Sequence, residues 1–309
     1  MNFINYSILQ NFSKKNLFDK PFPYILIRNA LAEDLYNELK RTAPLDKIKN
    51  NDLNNFRGNF YAEDLIGNNK YNTWIEFLKY HQSREFLNEI LDVFSQNIKT
   101  IYPGIIDKIK ELKVNNYNDN DERLTMGASY AYTTKVAKKS SSRKVHIDRV
   151  NKLCSALFYM RDKDDNSEGG DLYLYKWKND YDLKKKKTVI FSEDTEYNVH
   201  HTEELKRVGY EENTMVLMLN TIDSLHGVTE RSPTKHIRQF FYTATTLPFD
   251  LIDVELSLLE KIQIDKFSFK QKIKFLFFGI VKMTIKFIFG KRFLRIFKNL
   301  LTKKNVNPD

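Results

Sequence analysis

The hydrophobic pattern changes character twice along the chain. Residues 21–42 open with a short apolar run and continue with Leu31, Leu35 and Leu39 at four-residue intervals, which predicts a short strand leading into a helix. Asn50 to Asn55 is polar and reads as a loop. A second helical stretch is predicted from Trp74 to Ile101, with Phe77, Phe86, Ile90, Val93 and Phe94 as its apolar stripe and Pro103 ending it.

The period then shortens. Strand-like runs are predicted at Met126–Thr133, Arg143–Asp148, Leu153–Met160, Asp171–Trp177, Thr188–Phe191, Thr214–Leu219, Leu225–Thr229 and Ile237–Thr245, broken by Asp, Asn, Gly, Ser and Pro clusters. Ser192–Tyr210 is polar and reads as a long connection with some extended structure. Beyond Leu247-Pro248 the strand pattern stops, and residues 251–301 look helical. The expected fold is mainly β with flanking helices (α+β): a jelly roll of two facing sheets over about residues 120–247, with N-terminal helices packed on it. The expected domains are 1–250 and a C-terminal extension, 251–309.

Charge sharpens that boundary. The formal net charge is +10, yet residues 261–309 alone hold thirteen Lys/Arg against two Asp, so the body is nearly neutral. Segment 266–301 mixes these cations with Phe, Ile and Leu, and its longest apolar run, Phe275 to Val281, is too short to span a bilayer. It fits a helix lying on an anionic membrane surface, and equally one packed on the barrel or a partner subunit. Nucleic acid is not an expected partner, because so many large apolar residues need burial. Cys154 is the sole cysteine, which excludes an intrachain disulfide and a cysteine-built zinc site. Without an apolar run resembling a signal peptide near the start, a cytoplasmic location, peripheral on a membrane if the tail binds one, is the expectation.

Chemistry concentrates in the β region. His146 and Asp148 are two residues apart, so on a strand both would point to one face and offer two thirds of a facial metal triad. His-x-Asp alone is common by chance, and its weight comes from the ordered motifs downstream of it. Leu153–Met160 is an apolar strand containing Tyr159, followed by Gly169-Gly170-Asp171-Leu172. Asn213-Thr214 then opens a hydrophobic strand, Leu225-His226-Gly227-Val228 comes after it, and Arg238 begins the last strand. His200-His201 reads as a solvated loop pair, while His81 and His236 have no carboxylate in a recognisable arrangement.

In that order, these motifs resemble the 2-oxoglutarate/Fe(II) oxygenase superfamily, and within it the prolyl-4-hydroxylase-like branch, over roughly residues 20–248. The resemblance implies a double-stranded β-helix and a dioxygenase that uses Fe(II), 2-oxoglutarate and O2, hydroxylates a C–H bond and releases succinate and CO2. It implies His146, Asp148 and His226 as metal ligands and catalytic centre, and Arg238 as the anchor of the distal carboxylate of 2-oxoglutarate. Arg231 is a second candidate anchor, since Arg238 falls twelve residues after His226. Tyr159 matches a strand tyrosine that can bond the same carboxylate, and it also fits a core aromatic. Related halogenases have a small residue in place of the carboxylate, so Asp148 argues for hydroxylation. The substrate, whether small molecule, glycan or lipid-linked precursor, or protein side chain, is not legible. The competing reading is a non-oxidative cupin-like metal-binding jelly roll or isomerase.

Overall fold

The computed structural model describes residues 5–48, 53–115, 123–178 and 201–252, all within one compact unit, Met1–Asp253. The predicted strand Thr188–Phe191, His200 and the whole basic segment 266–301 lie outside the described residues. Among the described residues, no helix is long and apolar enough to cross a membrane.

Eleven strands and six helices occur among the described residues. In chain order the strands are β1 Leu17–Phe18, β2 Tyr24–Arg28, β3 Arg57–Phe60, β4 Val114–Asn115, β5 Leu124–Thr133, β6 Lys152–Tyr159, β7 Leu172–Trp177, β8 Thr202–Val208, β9 Thr214–Leu219, β10 His226–Val228 and β11 Arg238–Thr246. The helices are α1 Glu33–Arg41, α2 Ala62–Leu65, α3 Asn72–Tyr80, α4 Arg84–Val93, α5 Ser95–Ile101 and α6 Ile105–Glu111.

The strands form a large sheet ordered β1-β2-β9-β6-β11-β5-β3, antiparallel throughout that path, and a small sheet ordered β10-β7-β8. β4 joins the large sheet by pairing parallel to β5.

Strand alternation sends successive side chains of the large sheet into two different cores. From β6 and β9, Cys154, Ala156, Phe158, Met215, Leu217 and Leu219 pack with the helices, where Leu35, Leu39, Trp74, Phe77, Phe86 and Ile90 meet them. Their neighbours Leu157, Tyr159, Val216 and Met218 face the other way, onto Leu172, Leu174 and Val208 of the small sheet. With both faces covered, β6 and β9 are apolar runs rather than alternating ones.

Two predicted elements differ from what forms. The stretch Trp74–Ile101 is three helices, not one. The chain turns after α3, and Ser83 starts α4 by accepting a hydrogen bond from the Phe86 N–H at 3.3 Å. Phe94, the residue between α4 and α5, leaves helical geometry with φ −101° and ψ 11°. Arg143–Asp148 is not a strand either. Its ladder pairing is one isolated bridge, His146 with His226, on the edge of the three-residue β10 opposite to β7. In contrast, part of the polar connection Ser192–Tyr210 does form a strand, β8. It lies at the edge of the small sheet and buries only its terminal residues, so alternation is absent from its sequence.

Candidate metal centre

His146 and His226 are brought together by backbone. The His146 N–H donates to the His226 carbonyl at 2.9 Å and the reverse bond measures 3.0 Å. The approach is close enough to favour a glycine after His226, since a Cβ on Gly227 would lie 3.0 Å from the Val145 nitrogen. The imidazole centroids are 4.3 Å apart. Each ring directs Nδ1 to a backbone carbonyl two residues earlier, His146 to Lys144 at 2.7 Å and His226 to Ser224 at 2.9 Å. Carbonyls only accept, so both Nδ1 atoms carry the proton and each Nε2 keeps the lone pair that can ligate a metal.

Asp148 completes the cluster, with one ligand atom from each of the three residues within 4.8 Å of the others. Its Oδ2 accepts from the Ser155 hydroxyl at 2.9 Å, and its Oδ1 lies 2.8 Å from the Lys152 ammonium. Lys152 in turn donates to the Tyr242 hydroxyl at 2.9 Å. Burial alone would raise the Asp148 pKa, but Lys152 and the two imidazoles hold it well below the usual carboxylate range. Burial and the neighbouring His226 push the His146 pKa down to about 3, and burial lowers that of His226. The donor set is therefore two neutral imidazoles and one carboxylate, the protonation state that metal ligation requires. Arg143 donates from Nε to His146 Nε2 at 3.1 Å, so that contact would give way to an ion.

The two candidate anchors occupy different environments. Arg231 is consumed by structure: Nη1 donates to Thr133 Oγ1 at 3.0 Å and to the Thr134 carbonyl at 3.2 Å, and Nη2 to the His236 carbonyl at 2.8 Å. Arg238 is equally buried, 2% exposed, yet its Nε and Nη2 have no hydrogen-bond partner among the described residues. Its guanidinium lies between the rings of Tyr159, Tyr210 and Phe240, at 5.0, 4.9 and 4.8 Å from their centroids. The Tyr159 hydroxyl is buried without a partner as well. Burial raises its pKa, partly offset by the positive Arg238.

The arginine and the triad are linked along β11. Arg238, Phe240 and Tyr242 share one face by alternation, and Tyr242 reaches Asp148 through Lys152. Gly169 and Gly170 serve the arginine side. Both have positive φ, a Cβ on Gly169 would sit 1.9 Å from the Glu230 carbonyl oxygen, and one on Gly170 would press on the Arg231 and Arg238 stems at 3.3 Å.

The remaining tyrosines and histidines of interest lie away from the cluster. Tyr130 and Tyr132 pack in the helix-side core. His81 is fully buried there, its Nδ1 bonded to the Phe77 carbonyl at 2.7 Å and its Nε2 accepting from the Ile8 N–H at 3.3 Å. His236 contributes a carbonyl to Arg231. The cleft lined by Lys144, Asp171, Tyr173 and Arg207 touches neither Arg238 nor the triad side chains. Sequence reasoning missed Lys152 and Ser155. The signal was present: a lysine four residues after Asp148, and a serine on the same strand face as Leu157 and Tyr159.

The sequence matches no family model and no curated protein. Solved structures that resemble this chain include prolyl 4-hydroxylases and an Fe(II)/α-ketoglutarate-dependent dioxygenase. One is a prolyl 4-hydroxylase from Pseudomonas putida, at 11% identity, covering 72% of this chain and 92% of that one, TM-score 0.37. Another is a prolyl 4-hydroxylase from Phytophthora capsici, at 14% identity, 78% and 65% coverage, TM-score 0.42. A third is the dioxygenase for auxin oxidation from Arabidopsis thaliana in a binary complex with 2-oxoglutarate, at 12% identity, 75% and 89% coverage, TM-score 0.42. Likeness this distant assigns neither residue roles nor activity, which rest on the geometry of this chain.

Proposed function

We propose that the chain is an Fe(II)- and 2-oxoglutarate-dependent oxygenase on a double-stranded β-helix, oxidising an unactivated C–H bond. One observation carries the reading. On the side of the large sheet where Ser155 meets Asp148 of the His/Asp/His cluster, a buried arginine has two guanidinium nitrogens unpartnered among the described residues, beside a tyrosine hydroxyl likewise unpartnered there. Buried donors are almost always satisfied, and a planar fork of this kind suits a carboxylate.

His146, Asp148 and His226 would hold the ion, the two-histidine, one-carboxylate set that suits non-haem iron and leaves positions open. Arg238 would take the distal carboxylate of 2-oxoglutarate, with the Tyr159 hydroxyl donating to it. Bound together, Fe(II), 2-oxoglutarate and O2 supply the oxidation and release succinate and CO2. Ser155 and Lys152 fix the orientation of Asp148, and the Lys144 and Ser224 carbonyls fix the imidazole tautomers. Phe240, Leu157 and Val216 wall the space between the sheets and exclude water.

Full-length protein supplied with Fe(II), 2-oxoglutarate and air is expected to form succinate. Asp148→Ala and His226→Ala should fall to background while keeping the wild-type circular dichroism spectrum. Wild-type-like succinate formation in either variant, or none in the wild type, overturns the reading. A cupin-like binding protein would retain metal but form no succinate, and it has no use for the unpartnered guanidinium.

A further inference from the structure

We infer that the substrate carries an anionic group, carboxylate or phosphate, received by Arg57 above the Tyr242 and Phe240 rings. This rests on the oxygenase reading and names the substrate class of the same site. Arg57 belongs to β3, the edge strand of the large sheet, and pairs with Thr133, which pairs in turn with Arg238, so the three form one cross-strand row. Its guanidinium lies 4.7 Å from the Tyr242 ring and 5.2 Å from that of Phe240. Tyr242 is the residue that Lys152 connects to Asp148, so the Tyr242 ring and Lys152 link Arg57 to the triad.

Arg57 is solvent-accessible, yet its guanidinium has no hydrogen-bond or ion-pair partner among the described residues. Burial of its guanidinium lowers its pKa, Tyr242 opposes that, and Arg238 and Arg143 add repulsion. The carboxylate that acts on it, Asp148, is already ion-paired to Lys152. Loading the site does not relieve this. The charges of Fe(II) and 2-oxoglutarate would cancel each other, so the loaded site would bring no net negative charge to Arg57 or Arg143. A cation lying over two rings, with its N–H groups unpartnered among the described residues, can donate to an oxyanion.

The test uses the full chain loaded with Mn(II) and 2-oxoglutarate, titrated calorimetrically with inorganic phosphate, benzoate and, as a neutral control, benzyl alcohol. Wild type is expected to bind at least one anion and not the alcohol. Arg57→Gln should weaken that binding about tenfold or more, and Arg57→Lys should restore part of it. Phosphate alone, or benzoate alone, binding in this manner identifies the group. No anion binding by the wild type, or equal binding by Arg57→Gln, overturns the inference. It also fails if Arg57→Gln weakens 2-oxoglutarate as strongly as Arg238→Met does, because Arg57 would then serve the cosubstrate. Arg57-dependent anion binding in a protein that forms no succinate sinks the oxygenase reading and leaves the anion site standing.

Discussion

The two faces of the large sheet bury side chains of similar bulk but treat polar groups in opposite ways. On the helix-backed face, Trp74 donates from Nε1 to the Leu39 carbonyl at 2.9 Å and both His81 nitrogens are bonded, while among the described residues the Tyr36 and Thr243 hydroxyls are exceptions. On the face toward the small sheet, Arg238 and Tyr159 are left unpartnered, and the triad offers two Nε2 lone pairs. The first arrangement is what stability selects, since each unmade buried hydrogen bond costs free energy. The second sacrifices stability to keep donors and lone pairs aimed at something else. The difference gives each face a distinct response to substitution.

The largest stability loss should come from the helix side. Phe77 is fully buried against Trp74, His81 and Phe241, and Phe77→Ala is expected to cost about 3–5 kcal/mol in urea unfolding. A cost below about 1 kcal/mol would show that this face is not a packed core.

The two arginines sharpen the contrast within one region. Arg231→Ala removes bonds to Thr133, Thr134 and His236 and should destabilise the fold by about 3 kcal/mol. Arg238→Met removes no hydrogen bond and should change stability by less than about 1 kcal/mol, while weakening 2-oxoglutarate about a hundredfold. Calorimetric binding and urea midpoints on both variants decide it, and reversed roles would move the anchor to Arg231.

Acid should act on the satisfied histidine. His81 is buried with its pKa lowered by desolvation to about 3, against an ordinary value of about 6.5. The folded state then binds fewer protons than the unfolded one between these values, so stability is complete above pH 6.5 and declines as pH falls toward 3. By pH 5 the loss from this residue should be about 2 kcal/mol. Urea midpoints of metal-free protein across this range would show it, and His81→Gln should flatten the slope. An unchanged slope in that variant would assign the acid sensitivity to another group.

Tyr159→Phe should give the smallest effect. Its hydroxyl has no partner to lose, so stability should stay within about 0.5 kcal/mol, while 2-oxoglutarate affinity falls about three- to tenfold. Unchanged affinity would make Tyr159 a core aromatic only.

How much of this was legible in the sequence depended on the element. β5, β6, β7, β9 and β11 were readable because each is a β-branched and aromatic run bounded by turn residues. β3 was not, and β8 only as unspecified extended structure, since Arg57–Phe60 and Thr202–Val208 lie at sheet edges, where β3 buries no residue fully and β8 only its ends. The break of Trp74–Ile101 into three helices had a local signal, Ser83 before a new apolar run, that a single long stripe concealed.

Local chemistry fixed the residue types at the site. His-x-Asp, the histidine followed by a glycine that permits close backbone approach, and the Gly-Gly turn are all properties of neighbours along the chain. What the fold alone decided was satisfaction. Arg231 and Arg238 are the same residue type seven positions apart and both buried, yet one meets oxygens of Thr133, Thr134 and His236 and the other meets aromatic rings. Lys152 became the partner of Asp148, and Arg57 the cation without one, by the same route. Hydrogen-bond satisfaction depends on where distant segments bring their donors and acceptors, and no local pattern encodes it.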